Sequence, residues 1–168
     1  MNKVDNQILN QQQLLAKIKR IAYEIYENNV NESEMVVAGI IGTGYRFAAL
    51  LAKEIESISP IKTILVQVTI DKKNPLISIP SLDYELETLQ QKVIILADDV
   101  LNTGRTFIQC MRPFLSIEVK KIETTVLINR DHRLFPISSD YTGYELSTTI
   151  QEHVTVHLED DHKAVYLF

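Results

Sequence analysis

Apolar residues fall in two rhythms along this chain, one of three and four, the other unbroken or alternating. Leu14, Leu15, Ile18, Ile21, Ala22, Ile25 and Tyr26 keep the first rhythm and predict an amphipathic helix ending near Asn28-Asn29. Met35 to Ile41 is an apolar run of the kind a strand buried on both faces requires. Gly42-Thr43-Gly44 follows it, and then Phe47, Ala48, Leu50, Leu51 and Ile55 return to helical spacing. Ile61 to Ile70, rich in β-branched residues, predicts a third strand. Residues 71–81 carry Pro75 and Pro80 and read as a loop or hairpin, and Leu82 to Gln91 as a short turn.

Val93 to Ala97 is the next buried strand, followed by Asp98 and Asp99, a polar stretch to Thr106, and Phe107, Ile108, Met111 and Leu115 at helical spacing. Ile122 to Ile128 predicts another strand, and shorter ones are expected near Ser139–Tyr141, Val154–Leu158 and Ala164–Leu167. Residues 1–10 are polar and expected to be frayed. Strand, turn and helix thus alternate, the pattern of an α/β fold around a mainly parallel sheet. With no internal repeat and no linker, residues 1–168 are expected to form one domain.

The stretch from Val93 to Thr106 carries the chemistry. A parallel sheet binds ligands outside the carboxyl ends of its strands, where Asp98 to Thr106 are expected to lie. At a helix start the amides of Asn102, Thr103, Gly104, Arg105 and Thr106 lack helical partners and can converge on an anion. Gly104 permits close backbone approach, and the hydroxyls of Thr103 and Thr106 can donate to phosphate oxygens. Asp98 and Asp99 would repel a phosphate; they suit sugar hydroxyls or a divalent cation. A capped helix and a solvated acidic turn would use the same residue types, so the motif alone leaves both readings open.

Composition narrows the function classes. The net charge of -5 and a pI near 5.4 argue against a general nucleic-acid or membrane-surface binder. Cys110 is the single cysteine, which excludes an internal disulfide or a cysteine-rich zinc site. A polar N-terminus and the absence of a long apolar stretch make a cytoplasmic location the expectation. Lys17, Lys19 and Arg20 lie off the first helix's apolar stripe and read as a solvated face, and His153 and His157 as surface histidines sharing one face of a strand.

Asp98 to Thr106 resembles the phosphoribosyl pyrophosphate loop of type I phosphoribosyltransferases: an apolar strand, two acids, a short variable stretch and Thr-Gly-x-Thr. Arg20 to Glu24, Asp131 to Ile137, Asp140 to Gly143 and Val154 to Leu158 extend the likeness to one branch, the bifunctional pyrimidine operon attenuators and uracil phosphoribosyltransferases. The resemblance implies a twisted, mainly parallel sheet flanked by helices, with a small β-rich hood. It implies transfer of the phosphoribosyl group of phosphoribosyl pyrophosphate to a nucleobase such as uracil, with Mg²⁺ and release of pyrophosphate. Carried over, Asp98 and Asp99 would be the catalytic acids on the ribose hydroxyls, directly or through metal. Asn102 to Thr106 would cradle the 5′-phosphate and Gly42, Thr43 and Gly44 the leaving pyrophosphate. Tyr141, Thr142 and Gly143 would lie near the base in the hood. A homodimer is implied as well.

Two departures stand out. The family's Lys-Thr-Arg before the glycine is Ile41, Gly42 and Thr43 here, and its Tyr-Arg-Asp-Asp-like flexible loop is the shorter Asp71 to Pro75, with Lys72 and Lys73 as the evident substitutes. One positioned electrostatic donor at a reacting group is worth roughly 10²–10³ in rate. A non-catalytic nucleotide-responsive regulator is therefore the second reading. Its RNA-attenuator form would need a basic face from Arg20, Arg130, His132 and Arg133, which the overall acidity disfavours. A dinucleotide-binding reading of Gly42-Thr43-Gly44 lacks the third glycine.

Overall fold

The computed structural model describes residues 6–74, 77–149 and 151–168. The elements in chain order are β1 (Gln7–Leu9), α1 (Gln11–Asn28), β2 (Glu34–Ile40), α2 (Thr43–Ile58), β3 (Lys62–Thr69), β4 (Ser81–Leu82), a 3₁₀ turn (Leu86–Leu89), β5 (Val93–Leu101), α3 (Arg105–Leu115), β6 (Lys121–Asn129), β7 (Tyr141–Glu145), β8 (Val154–Leu158) and β9 (Lys163–Leu167). Among the described residues the main sheet has the order β4-β3-β2-β5-β6-β7, parallel throughout except for the β3–β4 hairpin. A smaller antiparallel sheet, β1-β9-β8, is the β-rich hood expected from the sequence.

Alternation along the strands sorts the core into two layers. Met35 and Val37 of β2 and Ile95 and Ala97 of β5 pack with α1 and α2 through Leu14, Ile21, Phe47 and Leu51. Val36, Ala38, Ile94 and Leu96 point the other way, onto Phe107, Cys110 and Phe114 of α3. The helices that follow neighbouring strands β2 and β5 therefore leave on opposite faces. Their divergence opens a crevice at the carboxyl ends of those two strands, the place where open α/β sheets bind ligands.

Several expectations are corrected. The N-terminal segment is not frayed over Gln7–Leu9: it pairs with β9, and Asn10 then caps α1 in a reciprocal capping box with Gln13. The strand expected near Ser139–Tyr141 runs instead from Tyr141 to Glu145. Tyr141, Thr142 and Gly143 accordingly stand in the edge strand of the main sheet and not in the small sheet, with Tyr141 buried in the α1–α2 layer. Arg20 is not merely solvated. Its guanidinium donates to the carbonyls of Thr142 (2.9 Å) and Gly143 (2.8 Å) and pairs with Glu24, binding α1 to β7. Lys17 likewise lies over the ring of Tyr144, 5.7 Å from its centroid.

Candidate functional site

Asp98 and Asp99 are not in a loop, as the sequence had suggested, but within β5. The ladder to β2 ends at the Gly39–Ala97 pair, whereas the ladder to β6 continues to Leu101–Asn129, stepping over Asp99. Past Ala97, then, β5 has a partner on one side only. On the open side each acid turns back on its own backbone: Asp98 Oδ1 accepts from the amide of Asp99 and Asp99 Oδ1 from that of Val100, both at 3.0 Å. Asp98 keeps 4% of its surface exposed. Burial first, and the charge of Asp99 next, hold its carboxyl well above the usual carboxylate range, against the opposing pull of Lys72. Burial, with the charge of Asp98 behind it, also pushes the thiol of Cys110 up to about 12, which leaves the sulfur a packing group.

The turn into α3 is open to an anion. Gly104 adopts φ 86°, and no side chain caps the helix. Among the described residues no backbone oxygen takes the amides of Thr103, Gly104, Arg105 or Thr106; Arg105 alone has a partner, the hydroxyl of Thr103 at 3.3 Å. The carbonyl side of the turn is fixed instead. Thr103 O accepts from the amides of Leu134 (3.0 Å) and Phe135 (3.2 Å), and a Cβ on Gly104 would overlap Cγ2 of Ile137. The segment 131–137 thus presses on the back of the turn and leaves its amides facing outward. Arg105 lies over the Phe135 ring, 5.3 Å from its centroid.

A second anion-ready turn stands beside the first. Gly42 has φ 90°, is exposed, and opens α2 without a side-chain cap. Gly44 packs directly on Asp98: a Cβ there would overlap Asp98 Oδ1 and stand 3.1 Å from its Cα. Lys72, from the bend after β3, brings Nζ within 3.2 Å of the same oxygen. Lys73 lies exposed on that bend, and Pro75 falls outside the described residues. Two uncapped helix starts with a buried acid between them suit a ligand carrying anionic groups at both ends and hydroxyls in the middle.

The donor set also fits Mg²⁺. Asp98 and Asp99 offer hard oxygens, and in each carboxylate the Oδ2 atom has no hydrogen-bond donor among the described residues. No group of three or more His, Cys, Asp or Glu residues gathers among the described residues, so a metal here would draw most of its ligands from substrate and water.

The turn into α3 also borders a cleft of about 280 Å³, lined by Asn102, Thr103, Arg130, His132, Leu134 and His153. Arg130 is buried and committed. Its guanidinium donates to Thr148 Oγ1 (2.9 Å) and to the carbonyls of Thr149 (3.1 Å) and Glu152 (2.6 Å). With Arg20 held by β7, two of the four residues proposed for a basic RNA face are already spoken for. His157 lies in a cluster with His162 and Tyr166, tilted against the first ring and edge-on to the second. Hollows of about 440 and 410 Å³ occur between α1 and α2 and beside the β3–β4 hairpin, away from the two uncapped turns.

This geometry now meets known proteins. A family model described as phosphoribosyl transferase domain matches residues 5–161. The chain belongs to the phosphoribosyltransferase family. Among members of this family, it is 32% identical to the Bifunctional protein PyrR of Alkaliphilus metalliredigens over 161 residues, 90% of this chain and 87% of that protein. The Bifunctional protein PyrR of Fusobacterium nucleatum is 33% identical, covering 91% of this chain and 90% of the relative. The phosphoribosyltransferase fold is equally plain in three dimensions. The hypoxanthine phosphoribosyltransferase of Trypanosoma cruzi superposes with a TM-score of 0.80 at 12% identity, over 96% of this chain and 95% of that one. A hypoxanthine-guanine phosphoribosyltransferase of Bacillus anthracis gives 0.71 at 18%, over 84% and 82%.

Around this cleft, sequence reasoning missed Arg130 as a buried strut and His153 as a lining residue. Arg130 directly follows β6, one residue past its apolar run, and a charge at that point was the available signal. His153 reaches the cleft because its amide and carbonyl pair with Phe168 at 2.7 and 2.9 Å, a contact no local pattern records.

Proposed function

We propose that this protein binds phosphoribosyl pyrophosphate with Mg²⁺ and transfers the phosphoribosyl group to a pyrimidine base such as uracil, releasing pyrophosphate. The observation that carries the reading is the pairing of Asp98 and Asp99, on the open side of β5, with the unpartnered amides that begin α3. The amides of Thr103 to Thr106 and the two threonine hydroxyls hold the 5′-phosphate. Asp98 and Asp99 accept from the ribose hydroxyls and orient C1 toward the crevice. The amides of Thr43 and Gly44 face the pyrophosphate. Bound Mg²⁺ supplies charge neutralisation on the pyrophosphate oxygens. The cleft beside Asn102 and Thr103 is large enough for a single-ring base, with His132 and His153 as hydrogen-bonding groups at its wall.

In the transfer, a lone pair on the base nitrogen forms the bond to C1 as the bond from C1 to the pyrophosphate oxygen breaks. That bond's electron pair leaves with pyrophosphate, and the nitrogen's proton passes to solvent. Most of the catalysis expected of this chain is positioning and electrostatic stabilisation.

A second reading, a nucleotide-responsive regulator that binds without turnover, is favoured by one observation: Ile41, Gly42 and Thr43 place no charge beside the pyrophosphate. The relatives are named Bifunctional protein PyrR, which is compatible with both readings. Pyrophosphate release across a panel of pyrimidine and purine bases separates them. Release with uracil above all others supports the transferase. Binding of phosphoribosyl pyrophosphate without release on any base supports the regulator, and no binding at all overturns both.

A further inference from the structure

Arg130 fixes more than the backbone around it. Its amide donates to the carbonyl of Leu101 at 3.0 Å, which ties it to the end of β5. Its guanidinium can only donate, and its Nε–H is given to Thr148 Oγ1 at 2.9 Å. The same hydroxyl stands 3.0 Å from Nε2 of His132. One lone pair of Thr148 is therefore taken, and its single proton is still to be placed. Among the described residues that ring nitrogen is the one acceptor within reach of Thr148 Oγ1. Donation to it satisfies both groups. Nε2 is then an acceptor, and the proton of the neutral ring sits on Nδ1. Donation runs one way, from Arg130 through Thr148 to His132, each bond polarising the next. His153, the other imidazole of the cleft, is exposed, and its ring has no hydrogen-bond partner among the described residues.

We propose that Thr148 is a positioning residue that locks His132 as its Nδ1–H tautomer, and that this N–H selects a pyrimidine with a carbonyl at C4 over one with an amino group there. This rests on the reading of the cleft as the base site. Uracil offers an oxygen acceptor at C4, whereas cytosine offers a donor. A ring whose tautomer cannot switch pairs with the first and meets the second donor to donor. A ring without a partner, such as His153, can turn or change tautomer and present an acceptor instead, so it distinguishes neither. Mismatch at a fixed donor is worth roughly tenfold or more in affinity.

Isothermal titration with UMP, CMP and ribose 5-phosphate tests this on the wild type, Thr148→Val, Thr148→Ser and His132→Phe. The two nucleotides share sugar and phosphate, so the ratio of their affinities isolates the base. The wild type is expected to bind UMP about tenfold or more tighter than CMP. Thr148→Val and His132→Phe should bring that ratio to within about twofold, and Thr148→Ser should keep it. Ribose 5-phosphate should change less than about twofold in every variant. A ¹⁵N correlation spectrum of the imidazoles in mildly alkaline buffer, where an imidazole is uncharged, adds a direct readout. It should place the His132 proton on Nδ1 in the wild type and Thr148→Ser, and on Nε2 in Thr148→Val. A preference for UMP that survives Thr148→Val or His132→Phe would overturn the proposal, as would a wild-type His132 proton on Nε2. So would equal weakening of all three ligands in Thr148→Val, which would make Thr148 only a strut for Arg130. A wild type that binds ribose 5-phosphate but holds UMP and CMP alike would sink this proposal alone. One that binds none of the three would sink the phosphoribosyl pyrophosphate reading with it.

Discussion

Gly44 and Asp98 are packed so closely that no side chain larger than hydrogen fits between the start of α2 and the end of β5. Gly44→Ala would place a methyl group on the carboxylate and force either the helix or the acid to move. Such overpacking costs about 1–3 kcal/mol. Thermal melts should show the loss, and calorimetric titration with phosphoribosyl pyrophosphate and Mg²⁺ should show affinity falling well beyond what partial unfolding explains. Wild-type affinity in Gly44→Ala would separate this contact from the site.

Asp98 gives a stability prediction with a definite sign. Its folded carboxyl holds the proton more tightly than an unfolded aspartate does. Ionisation therefore costs the fold nothing below the unfolded value of roughly 3.9, and the cost grows as pH rises through the folded value. Asp98→Asn should raise the melting temperature near neutral pH and by progressively less toward pH 4. The same variant should lose affinity for phosphoribosyl pyrophosphate. A melting temperature unchanged or lowered at neutral pH would contradict the account of the buried charge.

The turn into α3 depends on Gly104. A left-handed backbone is costly for any other residue, and a Cβ here would overlap Ile137 as well. Gly104→Ala should cost about 1–3 kcal/mol and abolish measurable ribose 5-phosphate binding, while far-ultraviolet circular dichroism remains that of the wild type. Retained ribose 5-phosphate affinity would remove the turn from the phosphate site.

Arg20 offers a control lying away from the crevice. Its guanidinium joins α1 to β7 through two carbonyls, and Arg20→Met should destabilise the protein by about 1–3 kcal/mol in urea unfolding. Ribose 5-phosphate affinity should stay within about twofold, because neither contact reaches the turn into α3.

The parts of this fold that were legible in the sequence are those set by local periodicity. The cores of β2, β3, β5 and β6 announce themselves as apolar runs, and α1 and α2 as stripes, because burial on two faces or one leaves a repeat in the chain. What the sequence hid depends on distant partners. Gln7–Leu9 becomes a strand only because β9, at the far end of the chain, offers it an edge. Asp98 and Asp99 join β5 because β6 outlasts β2 beside them, and two adjacent acids ordinarily mark a turn. Arg20 reads as a solvated charge until β7 presents its carbonyls. The open turn into α3 itself was legible, since a glycine in Thr-Gly-Arg-Thr ahead of an apolar stripe marks a helix start without a side-chain cap.

Amide hydrogen exchange at Thr103 to Thr106, followed with and without phosphoribosyl pyrophosphate and Mg²⁺ in the absence of any base, tests the central claim most directly. The account predicts protection at these four amides together with Asp99 and Val100, while amides of the α1–α2 surface exchange as before. Unchanged exchange across Asp98 to Thr106 at saturating ligand would contradict it.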